Sequence, residues 1–118
     1  MEGVAFEART MLDELKKHGV EITDLNVSGG AARSSVWCEI TAAATGCRLR
    51  RMQEAEAACM GAVMLACVGE GAYASFADAA RSMVKAEPLE PPTPELREFY
   101  EEKYAVYKKR FPAYLELQ

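Results

Sequence analysis

Val27-Ser28-Gly29-Gly30-Ala31-Ala32-Arg33-Ser34 joins a strand-like segment to a helix-like one, and the fold turns on how this junction is read. Upstream, Ile22, Leu25 and Val27 are separated by polar residues, which predicts a short strand. Downstream, Ser34 or Ser35 is placed to cap a helix with Val36, Trp37, Ile40 and Ala44 at its apolar positions, and Gly46 closes it. Adjacent glycines permit a tight turn and a close approach of backbone to phosphate. The N–H groups and positive dipole end of the next helix favour an anion. The Gly-Lys-Ser/Thr ending of a Walker loop is absent, as is the three-glycine dinucleotide fingerprint. From the residues alone two readings stand, a phosphate-holding turn and a merely sharp one.

Working outward toward the N-terminus, Val4, Ala8, Met11, Leu12 and Leu15 recur at helical spacing. Lys16, Lys17 and His18 fall in the last turn and Gly19 follows, so an amphipathic helix with its stop signal is predicted and His18 is read as a solvated end residue. Toward the C-terminus, Cys47, Leu49 and Arg51 alternate with Arg48, Arg50 and Met52, which reads as a second short strand. A long alanine-rich helix is predicted from about Glu54 to Val68, with Ala55, Ala58, Cys59, Ala62, Leu65 and Ala66 on one side. Gly61 inside that helix costs about 1 kcal/mol relative to alanine, which implies close backbone packing or a nearby ligand. Glu54 and Glu56 sit where a helix dipole favours acidic residues whatever the function.

Ser75 with Asp78 marks a short helix through Met83. Residues 86–94 hold Pro88, Pro91, Pro92 and Pro94, too many for a helix or a central strand, and are read as a connector. Thr93 and Pro94 then open a C-terminal helix over residues 95–118, with Glu95 at its positive end. Leu96, Phe99, Tyr100, Tyr104, Tyr107 and Phe111 recur on it at spacings of three and four, an aromatic face expected to pack against a core.

The order helix, strand, helix, strand, helix implies an α/β fold, helix-rich with two or three short strands. So few strands make a poor sheet alone, and further strands are expected before Met1. The 118 residues, half of them apolar, suffice for one core. Acidic residues outnumber basic ones by 18 to 14, which argues against nucleic acid as partner. No apolar run reaches the roughly 18–20 residues of a membrane span and no signal peptide is evident, so a cytoplasmic location without membrane contact is expected. Cys38, Cys47, Cys59 and Cys67 form no Cys-x-x-Cys pair and His18 lies far along the chain from them. No metal site is expected, and the thiols are read as buried and reduced.

Glu2-Gly3-Val4-Ala5-Phe6, the Val27 to Ser34 turn with Trp37 beyond it, and Glu54-Ala55-Glu56-Ala57-Ala58-Cys59-Met60-Gly61-Ala62 together resemble the C-terminal domain of FGGY carbohydrate kinases, in particular the xylulokinase-like branch. The resemblance runs on through Tyr73 to Val84 and the tyrosine-rich tail, covering residues 1–118 as one incomplete nucleotide-binding domain. It implies part of an actin-like, ribonuclease-H-like ATPase fold in which two domains close over ATP and sugar. It further implies that Ser28, Gly29, Gly30 and Ala31 lie against the nucleotide and that Ser34 takes the adenine side. The family often has a third glycine where Ala31 stands, and a Gln followed by Ala-Asp where this chain runs Cys38-Glu39-Ile40-Thr41-Ala42-Ala43.

By the same resemblance ATP and Mg²⁺ serve the intact enzyme, and a xylulose-like ketose or a polyol is the acceptor. The catalytic base, the sugar contacts and most metal-side residues belong to a portion preceding Met1, so no catalytic residue is assigned here. Two other classes remain open at this point. One is a freestanding nucleotide-binding or regulatory module, and the other a structural interaction domain whose Phe99 to Tyr114 face binds a partner. Apolar surface left open in a fragment would also favour a homo-oligomer.

Overall fold

In the computed structural model, residues 1–53 and 56–115 are described, with side chains through Lys109. The chain runs α1 (Glu2–Lys17), β1 (Asp24–Val27), α2 (Gly29–Ala32), α3 (Ser35–Thr45), β2 (Arg48–Met52), α4 (Ala57–Gly69), α5 (Phe76–Met83), β3 (Ala86–Pro88) and α6 (Pro94–Leu115). The caps read from sequence form. Gly19, at φ +82°, closes α1 while Val20 N–H donates to the Leu15 carbonyl and Gly19 N–H to that of Lys16, a Schellman ending. Ser75 Oγ accepts from Asp78 N–H at 3.2 Å to start α5. Thr93 Oγ1 accepts from Leu96 N–H at 3.3 Å to start α6. His18 is exposed, as its place at the end of α1 requires.

The three strands form one sheet in the order β1-β2-β3. β1 runs parallel to β2 with Leu25 beside Leu49, and β3 runs antiparallel to β2 with Met52 beside Ala86 and Arg50 beside Pro88. An ion pair of 2.8 Å between Arg48 and Asp24 spans the first pairing. The first strand is shorter than expected, since Ile22 lies outside it. The proline-rich span begins as strand rather than as connector. Pro88 lacks an N–H, yet it sits at the end of an edge strand, where proline is tolerated, and Leu89 N–H continues the pairing to the Leu49 carbonyl at 2.9 Å.

The core lies between helices. Ala5 and Phe6 of α1, Ala43 and Ala44 of α3, and Tyr100 and Tyr104 of α6 form one buried cluster, with Ile40, Leu96 and Tyr107 packed against it. Phe6 is the hub, with ring centroids 5.2 to 6.0 Å from Tyr107, Tyr104 and Tyr100. The aromatic face of α6 is therefore core-directed as expected, except that Phe99 is exposed; the side chains of Phe111 and Tyr114 lie outside the described residues. The stripe chosen for α1 is not the buried one. Val4 and Met11 are more than half exposed while Ala5 and Phe6 are buried, because the α6 rings claim the Phe6 side of the helix.

Polar atoms on these helices are paired at long range. Tyr100 OH donates to Glu2 at 3.1 Å, Tyr104 OH to Asp13 at 2.8 Å, and Tyr107 OH to Glu7. Arg9 donates to the Ala44 carbonyl at 3.0 Å, pairs with Glu101 at 2.7 Å and lies 4.3 Å over the Tyr104 ring, so one guanidinium ties α1, α3 and α6. Burial pushes the Tyr100 and Tyr104 hydroxyls above the ordinary tyrosine range, and the bond to Glu7 does so for Tyr107. The folded state thus favours neutral hydroxyls. Their stabilisation is complete below pH about 10 and is lost as pH rises through the raised values. Melting curves should be flat with pH up to about 10 and fall above it, with a shallower fall in Tyr104→Phe.

The radius of gyration is 17.6 Å, against about 13–14 Å for a compact domain of this length. The excess is visible in α4. It packs mainly on α5 and none of its residues is buried.

Candidate functional site

The Val27 to Ser34 turn sits where β1 ends. Ser28 is extended (φ −136°, ψ 174°) and Gly29–Ala32 makes one short helical turn, α2, rather than a simple loop. Gly29 has φ +75°, a left-handed conformation that disfavours any side chain. Gly30 has no such requirement, and a Cβ built on it would meet nothing within 4 Å. The fold therefore explains the first glycine and leaves the second without a structural reason.

Arg33 N–H donates to the Gly30 carbonyl at 3.2 Å and Ser34 N–H to that of Ala31 at 3.1 Å, which turns the chain into α3. Ser34 is the N-cap, its Oγ accepting from Trp37 N–H at 3.2 Å. Ala32 and Cys38 are buried beneath the turn, and the Cys38 thiol lies 3.7 Å from the Ala32 carbonyl. This anchors the turn from below while Ser28, Gly30, Ala31 and Ser34 stay exposed and Gly29 half-buried. The five residues singled out from sequence are thus brought together on one open surface. Ser34→Ala should cost about 1 kcal/mol and lower the melting temperature by roughly 3–6 °C, a loss that calorimetry reads directly.

Two other features bear on chemistry. A concavity of about 410 Å³ that reaches all three strands is lined by Arg48, Arg50 and Arg97 together with Asp24, Pro88 and Glu90. Arg48 and Arg50 lie on β2, as the strand reading of this segment expects, and Arg48 pairs with Asp24 at 2.8 Å. Sequence reading missed this concavity because Arg97 and Glu90 join it from distant positions. Among the described residues no three His, Cys, Asp or Glu side chains converge as metal ligands would, and no helix is long and apolar enough to cross a membrane.

All four cysteines are free. Cys38 and Cys47 are buried as expected, and burial pushes the Cys47 thiol up. Cys59 is exposed and Cys67 half-buried, contrary to expectation, because α4 has so little of the chain against it. Helix α4 also starts later than expected. Glu54 and Ala55 lie outside the described residues, and Glu56 precedes the first turn as its N-cap.

A left-handed glycine two residues beyond β1, a second glycine with open space above it, and a serine-capped helix make up the turn. Residues 1–70 match the FGGY family of carbohydrate kinases, C-terminal domain, and the chain belongs to that family. It is 33% identical over 109 residues to the L-xylulose/3-keto-L-gulonate kinase of Escherichia coli, a match covering 91% of this chain and 22% of that protein. The ligand-bound xylulose kinase of Lactobacillus acidophilus shares the fold with a TM-score of 0.82 at 20% identity, over 95% of this chain and 23% of that one. A Brucella ovis kinase described as a xyloylose kinase superposes with a TM-score of 0.77 at 28% identity, over 99% of this chain and 24% of that one. The chain thus spans between a fifth and a quarter of the length of these relatives, and its fold is part of their actin-like ATPase fold.

Proposed function

We propose that this chain is the ATP-side part of a carbohydrate kinase that transfers the γ-phosphoryl group of ATP to a hydroxyl of a xylulose-like ketose, with a polyol as the alternative acceptor. The observation that carries this reading is the Ser28 to Ser34 turn. Its second glycine has no structural reason within the fold, and its surface is open just where the helix dipole of α3 favours an anion. Family membership supplies the chemistry that such a surface would serve.

In this reading the chain positions and does not react. Backbone N–H groups at Gly29, Gly30 and Ala31 face the ATP phosphates and ribose, and the start of α3 at Ser34 borders the adenine. Orientation and electrostatics of this kind act on the transition state when a second domain closes and excludes water. The proton acceptor for the sugar hydroxyl, the sugar pocket and the residues that hold Mg²⁺ on the phosphates are assigned to the remainder of such a kinase. ADP is then the product released from this wall. The four free thiols suit a reducing compartment, and we place the reaction in the cytoplasm.

Exchanging the matched segment of the E. coli kinase for this chain tests the reading. The chimera should phosphorylate a ketose or polyol from a sugar panel at the expense of ATP. Consumption of ATP that no sugar or polyol stimulates would count against it.

A further inference from the structure

Strand β1 leads into the glycine turn at one end, and its first residue, Asp24, lines the 410 Å³ concavity at the other. No residue from Ser28 to Ser34 reaches that concavity. Ala42, Cys47 and Leu49, all buried, contribute apolar lining with Leu89 and Pro92, and none of the five belongs to the core cluster around Phe6. Charges from separate elements meet over this lining. Arg48 and Arg50 come from β2 and Arg97 from the start of α6. In a chain of net charge −4, three guanidiniums face two carboxylates here, Asp24 and Glu90, a local reversal of sign.

Only one of the three guanidiniums has a partner among the described residues. Arg48 pairs with Asp24 at 2.8 Å, and that carboxylate also accepts from Thr23 at 2.7 Å. Other cations of the same region are likewise matched, Arg9 with Glu101 and Lys16 with Glu21. Arg50 and Arg97 are left to line the concavity.

We propose that this concavity binds a small organic anion, its carboxylate or phosphate group held by Arg50 and Arg97 and its apolar body set against Leu49 and Leu89. Guanidinium forks match both anionic groups. The volume falls in the range of about 300–1,000 Å³ usual for small-molecule sites, which combine apolar lining with a few convergent polar groups. Asp24 and Glu90 on the same rim repel a polyphosphate, so a ligand with one anionic group fits better than ATP does. The site is separate from the glycine turn, and the inference does not rest on the kinase reading.

Phenyl phosphate and benzoate are suitable probes, with benzyl alcohol as the uncharged control and inorganic phosphate as the anion without a body. Titrated into the ¹⁵N-labelled chain, at least one of the two organic anions should give saturable amide shifts at Leu49, Arg50, Leu89 and Arg97. Which of them binds tighter identifies the anionic group. Arg50→Gln and Arg97→Gln should each weaken that binding by about 5-fold or more, and salt at about 0.5 M should weaken it further. Lys109→Gln removes the same charge from an exposed position on α6 away from the concavity and should leave affinity unchanged. Both arginines are exposed, so neither change should move the melting temperature by more than about 2 °C.

Benzyl alcohol binding as tightly as the anions overturns the proposal, since the arginines would then be idle. Inorganic phosphate binding as tightly as phenyl phosphate overturns it too, because the apolar lining would have no part. So does the absence of saturable shifts with either organic anion, or binding that both arginine variants leave intact. Unfolding of Arg50→Gln or Arg97→Gln would make the guanidiniums structural and would equally defeat it.

Discussion

Replacing Tyr104 with alanine should destabilise the chain by about 3–5 kcal/mol, the largest effect expected of any single core substitution here. Tyr104 is 2% exposed and is the largest fully buried side chain. Its ring lies 5.9 Å from Phe6 and beneath Arg9, and its hydroxyl donates to Asp13. Truncation removes the ring from the contact between α1 and α6 and leaves Asp13 without its donor. Domains of ordinary stability have about 5–15 kcal/mol in total, so the variant should be largely unfolded in mild denaturant. Tyr104→Phe keeps the ring and loses the hydrogen bond, which should cost only about 1 kcal/mol. Urea midpoints of the three proteins give the comparison, and a loss below about 1 kcal/mol for alanine would place the main core elsewhere.

The second large effect separates the two glycines of the turn. Gly29→Val forces a β-branched residue to φ +75°, which costs about 1–2 kcal/mol or displaces the backbone. Both stability and nucleotide affinity should fall, affinity by about 10-fold. Gly30→Ala is the sharper variant, because the added Cβ meets open space in a helical turn, where alanine is favoured over glycine by about 0.5–1 kcal/mol. Stability should hold or rise. Affinity should still drop about 10-fold if the phosphates occupy that space, whereas unchanged affinity would make the double glycine a turn and nothing more. Isothermal titration with ATP, paired with calorimetry, reads both quantities on one sample.

What was legible in the sequence was local. Ser34, Ser75 and Thr93 cap the helices they were expected to cap, because a cap is decided by a few neighbouring atoms. The two strand-like segments on either side of a helix are strands, and the structure pairs them in parallel. The Ser28 to Ser34 surface was visible as a strand, a glycine pair and a serine in succession. Family resemblance then set the whole in a known ATPase fold.

Where the structure departs from the local patterns, tertiary packing is the cause. Val4, Met11 and Leu15 make as good an apolar stripe as the one that α1 buries, and only the position of the Tyr100, Tyr104 and Tyr107 rings, about 100 residues away, decides for Phe6. Pro88 argues against a strand until the sheet supplies an edge for it. Cys59 reads as buried because α4 has the composition of an interior helix, whereas among the described residues the helix packs mainly on α5 and buries none of its side chains. The bonds from tyrosine hydroxyls to Glu2, Glu7 and Asp13 are contacts of tertiary packing that no local pattern encodes.

In the proposed function the Ser28 to Ser34 turn holds the nucleotide. The most direct measurement follows backbone amide signals of the ¹⁵N-labelled chain as ATP is raised into the millimolar range. Saturable shifts at Gly29, Gly30, Ala31 and Ser34, weakened in Gly30→Ala, are the result expected. Silence at those positions, or shifts confined to the Arg48, Arg50 and Arg97 concavity, would contradict it.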